Sequence, residues 1–392
     1  MGTQLDFLSY LNDEMSAKIF SCLDDPSDIA RVSCVSHSWR NFVIANGFAK
    51  HLCLRMFPQL SRVDHVVEPA SMAKSLLAVG SSNIEWETLK KEHRTYAFLG
   101  RGFMSFPQEE KCISEAIIAS STDHFPQERI DNTLKKNDTV GGRASYWSSK
   151  GNSNPAVPET LTYKLVADLC VVTEIRIKPY KAYFEHAFHI YSAKSVRFRM
   201  GHLNPYYNGN LMDESCPDSL GDKFVWTYTS QDFPMVQEDC LQSFKLPEPV
   251  LCIGGILQIE LWGRVQRNQI DHLFYICVAH VQVVGRPLSP AFGIEILEPS
   301  ENFVLKALSY TKPQTVPQET RRAAERWHRW LIDNQQIMNI MRGTVVDLVE
   351  YQWEDEDSNE ESDEDSNEES DENSNEESDE DGNEESDKLN LR

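Results

Sequence analysis

Most of this sequence lacks an excess of charge of either sign, although the whole chain is acidic. The 392 residues contain 61 Asp and Glu against 38 Lys and Arg, a formal net charge of −23. The stretch from Glu354 to Asp387 holds 21 of these acids and no Lys or Arg, so the remainder has 40 acids against 38 bases. This balance excludes a protein organised around bulk basic charge, and we expect no nucleic-acid partner.

The nine cysteines lack the spacing of a zinc site or a disulfide framework. Their number is odd and no two form a Cys-x-x-Cys pair, so we expect reduced thiols. Met1 to Asp6 lack the basic and apolar segments of a signal peptide, and no run of 18 apolar residues is present. We therefore predict a protein of the nucleus or cytoplasm that is not secreted and has no membrane partner.

Motifs of nucleotide-binding and hydrolytic sites are also missing. Gly100-Arg101-Gly102 lacks the third glycine of a dinucleotide-binding loop, and neither His-Glu-x-x-His nor Gly-x-Ser-x-Gly occurs. We therefore expect no catalytic residue, no metal ligand and no cofactor, and we predict that the chain is not an enzyme.

Changes in residue pattern divide the chain into five segments. Residues 5–50 show apolar positions at helical spacing, and 51–111 are predicted to be a helical linker. Residues 112–287 switch to alternation of apolar and polar positions. A C-terminal helical extension is predicted over 288–353 and a disordered acidic tail over 354–392. The predicted fold class is an α+β multidomain protein with a central all-β part.

The central segment predicts an antiparallel sandwich of jelly-roll type. Short alternating runs follow one another with loops and no helical pattern between them. These runs are residues 161–167, 173–178, 196–200, 257–261 and 275–283.

Two unusually long loops are predicted in this sandwich, at 179–190 and 201–223. Long loops on a rigid sheet often carry binding function, so Tyr180, Tyr183 and Phe184 are candidate substrate contacts. The alternative is that these aromatic residues plug the open end of the sandwich.

At least two amphipathic helices are predicted before residue 57, separated by a break at Pro26. Roughly 40 residues make a unit too small to be stable alone. A partner or the rest of the chain is expected to complete its core. The apolar residues at helical spacing are Leu8, Leu11, Met15, Ile19, Leu23, Ile29, Val32, Val35, Trp39 and Phe42.

The same region resembles an F-box. The resemblance rests on residues 11–15, 19–23, 28–32 and on Val35-Ser36-His37-Ser38-Trp39-Arg40. Asn12 stands where the family usually has Pro, Ile29 where it has Leu, and Ser36-His37 where it has Cys-Lys or Ser-Lys. The continuation over 51–58 is similar to the segment that follows the box in plant members.

This resemblance implies a partner and a role. F-boxes dock on the Skp-type adaptor of an SCF-type cullin–RING ubiquitin ligase, whose cullin scaffold carries the other subunits, while the rest of the chain captures a protein substrate. The ten apolar residues named above would face the adaptor or support that face. The alternative is that all ten are core residues of a helical domain.

The β segment resembles the galactose-binding-like jelly roll of discoidin-type modules. The resemblance rests on Tyr146-Trp147-Ser148-Ser149 and on residues 119–122, 159–165, 172–177 and 191–198. That family binds sugars, lipids or peptides at one end of its sandwich, which implies a substrate receptor here. One alternative is a carbohydrate- or lipid-binding module that serves no ligase.

The C-terminal residues predict a helix and then a low-complexity tail. A helix over 318–341 has one apolar and one basic face, and we expect it to pack on the sandwich; the alternative is that its basic face contacts the acidic tail or a substrate. Ser358, Ser366 and Ser374 each precede a Glu by three residues, which makes them phosphorylation candidates. The tail is expected to promote solubility; a second alternative is a chromatin-associated factor whose tail binds basic partners.

Overall fold

A computed structural model describes residues 8, 10–68, 81–136, 139–140, 143–185, 188–207, 223–297 and 302–310. The predicted helix over 318–341, the acidic tail and the phosphorylation candidates Ser358, Ser366 and Ser374 lie outside the described residues. No helix in the described ranges is long and apolar enough to cross a membrane.

The helical part begins with four short helices, each set by its own sequence signals. Polar side chains cap three of them: Asn12, Asp25 and Ser36 accept hydrogen bonds from backbone N–H groups in the first turn. Pro26 stands at the first helical position, where its missing N–H costs nothing. The helices are α1 (Asp13–Ser21), α2 (Pro26–Val32), α3 (His37–Ala45), α4 (Phe48–Met56) and the longer α5 (Ser81–Ser105).

The β part consists of many strands, several of them only two residues long. The described strands are β1 (Val63–Val67), β2 (Ile113–Ala119), β3 (Thr139–Val140), β4 (Arg143–Ala144), β5 (Trp147–Ser148), β6 (Glu159–Leu165), β7 (Leu169–Lys181), β8 (Ile190–Tyr191), β9 (Ala193–Leu203), β10 (Phe224–Thr229), β11 (Phe233–Pro234), β12 (Gln242–Ile253), β13 (Ile256–Arg264), β14 (Gln266–Arg267), β15 (Phe274–Tyr275), β16 (Cys277–Pro287), β17 (Phe292–Ile296) and β18 (Phe303–Ala307).

Two antiparallel sheets form the predicted sandwich. One has the order β10-β9-β13-β6-β2 and the other β12-β7-β16-β5. Alternate residues such as Leu161, Phe198 and Ile259 from the first sheet share a buried core with Ile175 and Val283 from the second. The predicted order of a helical N-terminal part followed by an all-β sandwich is therefore confirmed.

A third, small sheet joins segments that the sequence analysis predicted to be helical. β1, within the predicted helical linker, pairs in parallel with β18, and β18 pairs with β17. The described beginning of the predicted C-terminal helical extension is thus a β-hairpin. Consecutive apolar residues at 303–305 are all buried, and such short runs cannot be distinguished from helix by periodicity alone.

The helices and the sandwich are joined by one continuous core. Phe20, Ile29, Phe48 and other helical residues belong to the same buried cluster as sandwich and hairpin residues. The sandwich and hairpin members of this cluster are Leu169, Val171, Leu251, Ile253, Leu288, Ala291, Phe292, Phe303, Leu305 and Ala307. The helical unit is therefore packed directly against the outer face of the β12-β7-β16-β5 sheet.

Candidate functional site

Helix α1 has one buried face and one exposed apolar face. Asn12 Oδ1 accepts a hydrogen bond from Met15 N at 2.9 Å and so starts the helix. Ser16 and Phe20, one turn apart, are buried. Met15 and Ile19 point elsewhere and are 52% and 47% exposed. The helix therefore presents an apolar surface that the described part of the chain leaves open.

The Ser-x-x-Trp pattern is a helix cap joined to a core contact. Ser36 Oγ accepts a hydrogen bond from Trp39 N at 3.2 Å and starts α3. The Trp39 ring meets Phe20 edge-on, with centroids 5.3 Å apart and planes at 76°. Val35, immediately before the cap, is 60% exposed.

The ten predicted box residues separate into three groups. Ile29 is buried in the core, whereas Met15, Ile19 and Val35, which we call the exposed apolar set, are open to solvent. The other six are partly buried: Leu8, Leu11, Leu23, Val32, Trp39 and Phe42. Phe20 was overlooked in the sequence, although its spacing of three residues from Leu23 was a usable signal.

Charged groups hold the turn between α1 and α2. The Arg55 guanidinium donates to Ser21 O at 2.5 Å and to Leu23 O at 2.6 Å, and lies 3.3 Å from Asp24. Asp25 accepts a hydrogen bond from Ser27 N at 2.7 Å, which lowers the pKa of Asp25. These contacts fix the turn that follows α1, the helix that carries Met15 and Ile19.

The aromatic candidates of the sandwich do not share one environment. Tyr180 lies in β7 rather than in a loop, is buried, and stacks on Tyr146 with ring centroids 3.8 Å apart. Tyr180 was predicted as a candidate substrate contact in a loop, but its side chain is buried within a strand. Tyr183 and Phe184 follow β7 and are 49% and 69% exposed. Phe188, also overlooked in the sequence, is exposed nearby, since Lys181 lies over the rings of both Tyr183 and Phe188.

Four tyrosine–carboxylate hydrogen bonds surround this end of the sandwich. Tyr146 donates to Glu128 at 2.7 Å, Tyr191 to Glu185 at 2.6 Å, Tyr183 to Asp239 at 2.9 Å, and Tyr275 to Asp271. The buried members of the cluster are Tyr180, Ala182, Tyr191, Cys277 and Ala279, with Tyr146 and Tyr275 packed against them. We call this region the tyrosine end.

The carboxylates affect the titration of the groups around them. Burial, the hydrogen bond to Glu128 and the charge of Glu128 raise the pKa of Tyr146. Burial, together with the charges of Glu128 and Asp271, raises the pKa of Asp123. Burial and carboxylates at Glu128, Asp123 and Glu185 likewise raise the pKa of Cys277. Burial is the largest cause of each shift, and the neighbouring carboxylates add to it in the same direction.

A buried ion pair organises the loops beside the tyrosine end. Arg264 and Glu159 pair with side chains 1% and 5% exposed. The Arg264 guanidinium also donates to Ser149 Oγ at 2.9 Å, Lys150 O at 2.8 Å and Phe274 O at 2.9 Å. No local sequence pattern indicates this pair, because the two residues are distant in sequence and belong to different strands.

One group of side chains has metal-like spacing. Ligand atoms of Asp123, His124 and Glu128 lie within 4.8 Å of one another. His124 is exposed, and Glu128 already accepts the Tyr146 hydroxyl hydrogen. Exposed acidic groups of this kind are common without an ion, so the arrangement assigns no metal site.

Comparison with known proteins identifies the helical unit. Residues 9–55 match the F-box-like family model. The chain is 46% identical over 368 residues to the F-box protein At4g00755 of Arabidopsis thaliana, covering 91% of this chain and 97% of that protein. The chain therefore belongs to the F-box protein family, and the match supports an adaptor-binding role of the kind typical of SCF complexes.

The structural neighbours share low identity with this chain. The family 32 carbohydrate-binding module of Clostridium perfringens NanJ, solved in complex with galactose, is 15% identical with a TM-score of 0.28, covering 43% of this chain and 98% of that module. The family 32 module of Streptococcus pneumoniae EndoD is 10% identical with a TM-score of 0.30, covering 45% and 98%. Allantoicase of Saccharomyces cerevisiae is 10% identical with a TM-score of 0.32, covering 51% and 54%.

Proposed function

We propose that this chain is the substrate-recognition subunit of an SCF-type cullin–RING ubiquitin ligase. The helical unit docks on a Skp-type adaptor, which connects it to the cullin scaffold, and the β-sandwich captures a protein substrate in the nucleus or cytoplasm. The strongest support for this proposal is that the segment matching the F-box-like family, residues 9–55, contains the exposed apolar set.

The helical unit buries one apolar face within the described chain and leaves another open to a partner. Phe20 and Ile29 are buried in the core shared with the sandwich, whereas Met15, Ile19 and Val35 are exposed. Fully burying an aliphatic side chain of this size contributes about 1.5–3 kcal/mol, and these three side chains, which are about half exposed, have roughly half of that burial left to gain. Three such side chains against a partner therefore provide a substantial part of the free energy of a specific complex.

The receptor role needs no active site in this chain. F-box proteins typically act as non-catalytic receptors, and such a receptor raises the local concentration of the substrate near the transfer machinery. In this proposal the exposed Tyr183 and Phe184 at the tyrosine end are substrate contacts, whereas buried Tyr180 supports them from below.

The docking proposal is tested with single charge substitutions on the exposed apolar set. Ile19→Asp and Val35→Asp should each weaken binding of the full chain to a purified Skp-type adaptor at least about 10-fold, because a charge is then buried in an apolar contact. Isothermal titration calorimetry measures the affinity.

Matched controls for these substitutions lie on α5. Ile84 and Met104 are 54% and 64% exposed, so Ile84→Asp and Met104→Asp introduce the same charge at apolar positions of similar exposure. Thermal melting should be unchanged for all four variants. Adaptor affinity equal to that of the unmodified chain for Ile19→Asp and Val35→Asp would contradict the proposal.

A further inference from the structure

The tyrosine end is an exposed aromatic surface around a buried aromatic core. Phe184 is 69% exposed, Phe188 53% and Tyr183 49%, and Phe125, next to His124, is 68% exposed. Exposed aromatic residues grouped at one end of a domain are characteristic of interaction surfaces rather than of ordinary protein surface. A series of contacts runs from His124 and Glu128 through Tyr146 and Tyr180 to Tyr183.

The charges next to these rings are largely negative. Glu128, Glu185 and Asp271 each accept a tyrosine hydroxyl hydrogen, and Asp123 lies beside Glu128. Among the described residues, the salt bridges of Glu128 and Glu185 are to the histidines His124 and His189. A carboxylate that accepts a hydrogen bond from a neutral tyrosine keeps its negative charge, so this end favours a cationic partner.

The rings at this end already hold a cation from the chain itself. Lys181 Nζ lies 5.4 Å from the ring centroid of Tyr183 and 5.7 Å from that of Phe188. Ammonium and guanidinium groups are attracted to aromatic faces at such distances. The more exposed Phe184 ring offers the same kind of face to a partner.

We propose that the tyrosine end binds a substrate segment in which lysine or arginine side chains stand beside apolar ones. The apolar side chains pack on Phe184 and Phe188, and the cationic groups lie over aromatic faces and near Glu128, Glu185 and Asp271. This inference rests on the proposed receptor function and specifies the chemistry of the substrate.

The experiment uses the full chain and two labelled peptides of equal length. One alternates arginine with leucine and the other alternates glutamate with leucine, and fluorescence anisotropy gives the affinity at low and at high salt. The arginine peptide should bind at least about 10-fold more tightly than the glutamate peptide, with partial loss at high salt. Equal affinity for the two peptides would overturn the proposal.

Substitutions distinguish peptide binding at the tyrosine end from peptide binding by the acidic tail. The tail is present and unchanged in every variant. Glu128→Gln together with Glu185→Gln removes two charges but keeps acceptor oxygens for Tyr146 and Tyr191, so the fold is preserved. This double variant and Phe184→Ala should each weaken binding of the arginine peptide about 5-fold or more. The control variants are Glu115→Gln, whose carboxylate pairs with Lys164 on β6, and Tyr206→Ala, a 60% exposed tyrosine outside the cluster.

The outcomes distinguish this inference from the receptor proposal. Adaptor affinity is measured on the same variants and should be unchanged. If the unmodified chain does not bind the adaptor at all, that result counts against the proposed function alone. If the four variants bind the arginine peptide equally, the tail holds the peptide and the inference is wrong. It is also wrong if a neutral oligosaccharide binds in a manner that depends on Phe184 while the arginine peptide does not bind.

Discussion

The β-sandwich and the helical unit bury their apolar residues in different ways. The sandwich closes a core between its own two sheets, with Phe198 and Ile259 facing Ile175 and Val283. The core of the helical unit is shared: Phe20 and Phe48 belong to one cluster with residues of the sandwich and of the β17–β18 hairpin. A motif of roughly 50 residues is too small to be comfortably stable alone. Because its core is shared in this way, the F-box here depends on the sandwich and the β17–β18 hairpin for its stability.

The largest expected effect is loss of structure when the helical unit is separated. A fragment ending at Arg62 lacks α5, the β17–β18 hairpin and the outer sandwich face, so it should remain unfolded. Far-ultraviolet circular dichroism during heating measures this. A cooperative melting transition of the isolated fragment would show that the box has a core of its own.

The next largest effect concerns the sandwich alone. Arg264→Leu leaves the Glu159 carboxylate buried without its partner and should destabilise the chain by about 3–5 kcal/mol. The double variant Arg264→Leu with Glu159→Leu removes both charges and should recover part of this loss. Denaturant unfolding gives the free energies, and a single-variant loss below about 1 kcal/mol would contradict the role of the ion pair.

A matched pair of leucines compares the two cores directly. Leu251 on β12 and Leu257 on β13 are both fully buried, but Leu251 belongs to the core shared with the helices and Leu257 to the core between the sheets. Replacement by Ala should cost about 2–5 kcal/mol in each case. Hydrogen exchange should accelerate in α4 and α5 for Leu251→Ala, and in β6 and β9 for Leu257→Ala. The same exchange pattern for both variants would argue against two distinct cores.

The smallest expected effect is a pH dependence located in helix α5. Burial and the nearby charges of Arg94 and Arg40 lower the pKa of His93 on α5. The unfolded chain then binds more protons than the folded one, so stability falls as pH drops below the usual histidine pKa of about 6.5. One proton gives a slope of at most about 1.4 kcal/mol per pH unit. Replacing His93 with Gln should flatten the stability profile between neutral and mildly acidic pH, and an unchanged slope would exclude His93 as its source.

The sequence predicted the elements better than the contacts between them. The spacing of Met15 and Ile19 predicted an amphipathic helix, because helical periodicity is a local property. The F-box was identified by resemblance, on motifs that include Val35-Ser36-His37-Ser38-Trp39-Arg40. The alternation over 161–167 and 257–261 predicted strands of the sandwich, because alternation is likewise a local property.

Long-range packing was the part that local patterns did not contain. The stripe that includes Met15 and Ile19 was identified, but which side faced the core depended on Phe20 meeting Phe48, a contact formed only by folding. Tyr180 read as a loop residue because β7 extends further than its alternation suggests, up to Lys181. The pairing of β1 with β18 joins segments more than 200 residues apart, and no periodicity reveals such a partner.

Hydrogen exchange of the full chain with and without a Skp-type adaptor tests the central claim most directly. The helical unit should contact the adaptor through its exposed apolar set while the sandwich remains free for substrate. We predict slower exchange upon adaptor binding within residues 10–24 and 33–40, and unchanged exchange in β6, β7 and β13. Protection that appears in the sandwich strands instead, or no protection in the helical unit at saturating adaptor, would contradict the account.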